Sequence, residues 1–192
     1  MRAAATNVVL RNGSTALIRP VRPDEADAVF EFLQGMSVDS RQLRFFTAGP
    51  DLHGAARWAT GVGKRRGVGL VATTGHPPSI VGHADYERLE DYRAEVALEV
   101  ADAMRGHGLG TALLLHLAEA ARAEGVTRFV ADVLPENWRM LEVFRGSGFP
   151  VTLKRGREAL QVEVSIDEPA TVRSPHGPKQ RNDAEAALVS RS

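Results

Sequence analysis

Apolar positions along the chain fall into short alternating runs and longer helical repeats, and their order predicts the architecture. Residues 16–18 read as a short strand closed by Arg19-Pro20-Val21-Arg22-Pro23, because proline lacks the N–H that a ladder needs. Asp24 then caps an amphipathic helix in which Ala28, Val29, Phe32 and Leu33 recur at helical spacing before Gly35. A second, irregular helical stretch carries Ser40-Arg41-Gln42-Leu43-Arg44-Phe45-Phe46 and continues over residues 52–60. The Gly-rich basic run 61–67, with Lys64-Arg65-Arg66, reads as a loop. Residues 68–73 and 80–86 flank Thr74-Gly75-His76-Pro77-Pro78 and form a hairpin pattern. Residues 95–101 give another strand, and Arg105-Gly106-His107-Gly108-Leu109-Gly110-Thr111 leads from it into a long apolar helix ended by Gly125. A strand over 128–134, a helix over 137–147 and a hairpin over 151–166 complete the pattern.

This order, strand, helices, three strands, helix, strand, helix, two strands, predicts an α/β domain of α+β type. Its sheet is mixed and mostly antiparallel, with six to seven strands flanked by about four helices. The strand–helix–strand unit around the Gly-rich turn implies a right-handed crossover and locally parallel strands. Residues 1–14 are expected as an N-terminal extension, 15–167 as the domain, and 168–192 as a flexible tail or linker. From Asp167 onward the chain is poor in large apolar residues and carries Ser174-Pro175-His176-Gly177-Pro178. No internal repeat is visible.

Composition narrows the chemistry. With 192 residues the chain encloses one core of ordinary size. Its 24 basic and 24 acidic side chains cancel, so no general positive field draws in nucleic acid or anionic lipid, and neither is expected as a partner. Cysteine is absent, which removes disulfides, thiolate zinc sites and any enzyme-thiol intermediate. Nowhere do about 18 apolar residues follow one another, and the opening residues lack a secretory pattern. A cytoplasmic, reducing location is expected. His53, His76, His83, His107, His116 and His176 show no metal-ligand spacing, so no metal is expected.

The turn at 105–111 follows a strand and opens a helix, where unpaired N–H groups and the positive end of the helix dipole suit a diphosphate. A dinucleotide fingerprint would need glycine where Thr111 stands and would normally follow the first strand; a Walker loop would need Gly-Lys-Ser/Thr. What remains is R-x-x-G-x-G, formed by Arg105, Gly108 and Gly110, and this resembles the coenzyme A signature of the GNAT acyltransferases. Downstream Asn137, Phe144 and Gly148-Phe149 match the closing helix and strand entry of that family, so the resemblance spans roughly residues 17–166. Ser40-Arg41, Arg44-Phe45-Phe46, the opening Ile18 to Pro23 and Ala94-Glu95-Val96-Ala97 resemble the acetyltransferase domain of bacterial Pat-type protein lysine acetyltransferases.

The resemblance implies acetyl-CoA as co-substrate, held by Arg105, Gly106, His107, Gly108, Leu109, Gly110 and Thr111. Backbone groups of Leu98, Glu99 and Val100 would meet the pantetheine arm, with Asn137 touching that arm or simply capping its helix. It also implies a catalytic glutamate at Glu95, ten residues before Arg105. Strand alternation puts Glu95, Ala97 and Glu99 on one face, which makes Glu99 a reserve candidate. A lysine amine, with a reference pKa of about 10.4, must lose a proton before attacking a thioester, and a carboxylate can take it directly or through water. Phe144 stands where many relatives carry a tyrosine acid and has no proton to give. The expected activity is acetyl transfer to a lysine of an acyl-CoA synthetase-type protein by direct transfer in a ternary complex. A fused or partner regulatory domain beyond the tail is expected with it. A small amine, an N-terminal α-amine, or a non-catalytic acyl-CoA-binding module are the alternatives. Lys64-Arg65-Arg66 are either solvated loop residues or a patch for an acidic substrate surface.

Overall fold

In a computed structural model describing residues 4–47, 49–61 and 67–167, alternating runs become eight strands and the helical repeats five helices. The strands are β1 (Thr6–Val9), β2 (Thr15–Pro20), β3 (Gly69–Thr74), β4 (Ser79–Arg88), β5 (Arg93–Val100), β6 (Arg128–Val133), β7 (Val151–Arg155) and β8 (Leu160–Ser165). The helices are α1 (Ala26–Gln34), α2 (Val38–Phe45), α3 (Leu52–Ala59), α4 (Leu109–Arg122) and α5 (Trp138–Gly146). The sheet runs β1-β2-β3-β4-β5-β6-β8-β7, and β5 against β6 is its parallel pair. The α/β class and the mixed, mostly antiparallel sheet are as expected; the counts are corrected upward. One extra strand is β1, short and largely exposed, whose four residues pair with β2 in the segment expected as an extension. The extra helix arises because the irregular stretch breaks in two, with separate N-caps at Ser37 and Asp51. Lys64-Arg65-Arg66 and residues 168–192 lie outside the described residues.

Two apolar clusters hold the domain. On one sheet face, α4 buries Leu109, Leu113, Leu114, Leu117, Ala118 and Ala121 against Ala84, Tyr86 and Leu98. Gly82 lets that helix approach, since a Cβ there would lie 3.0 Å from a Leu113 methyl. Alternation sends His83, Asp85, Glu95 and Glu99 to the opposite face. That side carries the smaller cluster of Val29, Phe32, Leu33, Met36, Ala56 and Ala59 from α1, α3 and their connections. Pro20 ends β2 and Pro23 leads the chain toward α1, just before which buried Glu25 accepts two bonds from Arg19, at 2.6 and 2.8 Å, and one from the Arg22 N–H. Their charge-assisted geometry holds the Glu25 carboxyl below its usual range despite opposing burial.

Candidate active site

The parallel pair β5–β6 is where the sheet opens. It is paired through Arg93↔Arg128, Ala94↔Phe129 and Glu95↔Val130, and there the pairing stops. β5 continues against β4 to Val100, while β6 continues against β8. Residues 96–100 therefore keep one edge of backbone N–H and C=O groups without a strand partner, the kind of edge an extended ligand can pair with. A cavity of about 830 Å³ occupies the opening. Val96, Leu98 and Val100 line one wall, and Ala131, Val133 and Phe144 line another.

At the far end of that cavity lies the Gly-rich turn. Gly106 and Gly108 have φ of +75° and +85°, in the region L side chains avoid, and open space surrounds the position a Gly106 Cβ would take. The first intrahelical bond of α4 runs from the Ala112 N–H to the Gly108 carbonyl at 3.0 Å, so the N–H groups ahead of it have no partner inside the helix. Gly110 lets α5 approach, because a Cβ would sit 3.2 Å from a Val143 methyl. These features fit a nucleotide diphosphate. Arg105 also lines the cavity, but its guanidinium is bound to Asp102 Oδ1 at 2.6 Å and to the Ser40 hydroxyl. Asp102 also accepts from the Ser40 hydroxyl at 2.6 Å and the Ser37 N–H at 2.8 Å. Burial opposes its ionisation, but these bonds and the Arg105 charge outweigh it and hold the carboxyl below its ordinary range.

Leu98, Glu99, Val100, Gly106, Gly108, Leu109, Gly110, Thr111 and Asn137 border the same cavity. His107 does not border it; its carbonyl accepts from the Arg11 N–H at 3.0 Å, and its Nδ1 is buried without a partner. The Asn137 Oδ1 caps α5 by accepting from the Met140 N–H at 3.2 Å. Phe144 is buried and packs the cavity wall.

The opposite side of β5 is acidic. The register sets His83 beside Glu99, Asp85 beside Ala97 and Glu87 beside Glu95. Together with Phe45 of α2 and Trp58 of α3 they line a second cavity of about 340 Å³. Glu95 is exposed, borders both cavities and sits at the last paired position before the strands part. Glu99 differs. Its Oε2 accepts from Arg44 Nε at 2.7 Å and its Oε1 is 2.8 Å from His83 Nδ1. Burial would raise its pKa, but the Arg44 and His83 partners outweigh this and hold it at about 2. Such a carboxylate has too little proton affinity to serve as a base near neutral pH. Both oxygens of the Glu99 carboxylate are thus engaged by partners from α2 and β4.

Several site residues had no separate signal in the sequence. Arg44, His83 and Glu99 come from α2, β4 and β5, and only the strand register joins them. The spacing of Ser40 and Arg44 does place both on one helix face, so a shared role was detectable. Arg11 lies in the segment read as an extension. Among the described residues no group of His, Cys, Asp and Glu could hold a metal, and no helix is long and apolar enough to cross a membrane.

A split parallel strand pair with a glycine turn at one end is the arrangement that the resemblance to coenzyme A-dependent acyltransferases implies, and comparison with known proteins shows the family. The profile of the acetyltransferase (GNAT) family matches residues 36–149, more than half of the chain. The chain belongs to the GNAT family of N-acetyltransferases. It is similar to the GNAT domain of Streptomyces lividans (S. lividans) PAT, at 33% identity and a TM-score of 0.75 over 84% of this chain and 96% of that one. The fold also matches a cAMP-binding acyltransferase from Mycobacterium smegmatis, with 24% identity, a TM-score of 0.61 and 91% of this chain covered. This chain spans 50% of that protein's length. The yncA protein of Salmonella typhimurium, solved with its cofactor acetyl-CoA, matches at 22% identity and a TM-score of 0.61 over 82% of this chain and 98% of that one.

Proposed function

We propose that this protein is a cytoplasmic, acetyl-CoA-dependent lysine acetyltransferase acting on a protein, with an acyl-CoA synthetase-type enzyme as the acceptor class. The observation that carries the reading is the position of Glu95, at the point where β5 and β6 part and where the two cavities meet. The diphosphate would rest on the amides of 106–111, and the pantetheine arm would pair with the free edge of residues 96–100. Together they would bring the thioester toward Glu95. A carboxylate there takes a proton from the incoming ammonium, directly or through water. The neutral nitrogen attacks the thioester carbon and a C–N bond forms; as the C–S bond breaks, the nitrogen releases its second proton to solvent, leaving the amide N–H. The thiolate then takes its proton from solvent, since Phe144 has none to give.

The acceptor side supports an alkylammonium. Asp85 and Glu87 of β4 and Glu95 of β5 share one sheet face, and Phe45 and Trp58 supply aromatic surface for methylene groups. The similarity to the PAT domain at 33% identity supports a protein acceptor over a small amine. The test is labelled acetyl-CoA offered with a set of acyl-CoA synthetases and with small amines. Label on a synthetase lysine is expected. Label confined to small or N-terminal amines, or binding without transfer, would overturn the reading. Glu95→Gln should lower kcat about 10²- to 10³-fold with acetyl-CoA affinity nearly unchanged, the usual scale for a lost general base. An unaltered kcat would remove Glu95 from the mechanism.

A further inference from the structure

The turn that would face the nucleotide end of the cofactor has a charge problem. Its motif arginine, Arg105, is neutralised by Asp102 and tied to α2 through Ser40, so it adds little net charge where phosphates would sit. A second arginine stands at the same place. Leu10 to Ser14 form the tight turn between β1 and β2, closed by the Leu10 N–H on the Ser14 carbonyl at 2.8 Å. The Arg11 N–H binds the His107 carbonyl and docks this turn on the phosphate-facing one. The Arg11 side chain crosses Gly108: a Cβ on that glycine would lie 3.6 Å from Arg11 Nε and 3.7 Å from its Cγ. Arg11 borders the large cavity, and among the described residues no acidic side chain pairs with it.

We infer that Arg11 is the cation that binds the phosphates of coenzyme A, while Arg105 is a positioning residue that clamps the turn to α2. The inference rests on the acetyl-CoA reading above. A guanidinium makes short, charge-assisted bonds to phosphate oxygens, and an unpaired one is available to do so. The φ of +85° is what favours glycine at 108, and the Arg11 stem lies over it at ordinary van der Waals distance. The β1–β2 hairpin thereby becomes part of the cofactor site.

Calorimetric titration of the full chain with coenzyme A and with 3′-dephospho-coenzyme A tests this. Arg11→Gln should weaken coenzyme A binding about tenfold and flatten its salt dependence, leaving kcat at saturating acetyl-CoA within twofold. Arg11→Met keeps the aliphatic stem over Gly108 and should show the same loss, so that a folding defect in one variant is not mistaken for a lost contact. Arg11→Lys should recover most of the affinity. If the loss is confined to coenzyme A, the 3′-phosphate is the partner; an equal loss for both ligands assigns the diphosphate. Folded Gln and Met variants that bind as tightly as the wild type at low salt overturn the inference alone. A wild-type protein that binds neither ligand overturns the acetyl-CoA reading with it.

Discussion

The Gly-rich turn and the acidic face of β4–β5 flank the same strand yet are built in opposite ways. The turn works through backbone. Its glycines open access to amide groups at the start of α4, and its motif arginine is paired internally. The acidic face works through side chains from three elements, with a buried carboxylate held between a guanidinium and an imidazole. The difference teaches where each is vulnerable. Removing the charge of Arg11 beside the turn should alter affinity, whereas removing one from the buried Arg44–Glu99 pair of the acidic face should alter stability, because its partner remains in a low-dielectric interior.

The largest expected effect sharpens this contrast. Arg44→Ala would leave Glu99 buried without its counter-charge. Breaking such a pair costs about 3–5 kcal/mol in general. The low end is expected here, because the Arg44 side chain is 26% exposed while that of Glu99 is 4% exposed. Urea unfolding should therefore show a loss of about 3 kcal/mol, and Glu99→Gln added to Arg44→Ala should restore part of it by removing the orphaned charge. A loss below about 1 kcal/mol would mean that the pair behaves as a surface salt bridge, and the contrast would collapse.

Acid should expose the same pair without mutation. Glu99 is held at about 2 against an ordinary value of 4.5, so its folded-state pKa is depressed. Its contribution is fully present above the ordinary value and fades as pH falls from about 4.5 toward about 2. The linkage amounts to something on the order of 3 kcal/mol across that window. Asp102 and Glu25 shift in the same direction, so the wild type alone would not isolate the effect. The difference between wild type and Glu99→Gln does: stability measured from pH 5 to 2 should fall more steeply in the wild type, with the two curves converging at the acid end. Parallel curves would assign the acid sensitivity elsewhere.

The two regions also differ in how far the sequence disclosed them. The turn was readable because its physics is contiguous: a strand, R-x-x-G-x-G and a helix start specify backbone geometry within a few residues. Alternation likewise put Glu95 and Glu99 on one face correctly. The roles of their side chains needed information that spacing does not hold. Glu99 meets Arg44 55 positions away and His83 16 positions away, and only the fold brings them together. β1 escaped notice for a related reason. Four largely exposed residues carry no apolar alternation strong enough to read, and pairing with β2 defines them as a strand. Arg11 was hidden with it.

The smallest effect concerns a residue on the cofactor side that has two chemical ends. Asn137 uses Oδ1 to cap α5, which leaves its amide N–H groups for the adjoining cavity. Asn137→Ala should cost about 1 kcal/mol, the ordinary value of a lost N-cap. Asn137→Ser restores a capping oxygen but not the amide, so its stability should return close to that of the wild type. If the amide reaches the pantetheine arm, both variants should show a KM for acetyl-CoA raised several-fold, with the serine variant doing so at unchanged stability. A serine variant with wild-type KM would confine Asn137 to its helix. The cofactor side would then be recognised almost wholly by backbone groups and Arg11, which is the strongest form of the contrast with the acidic face.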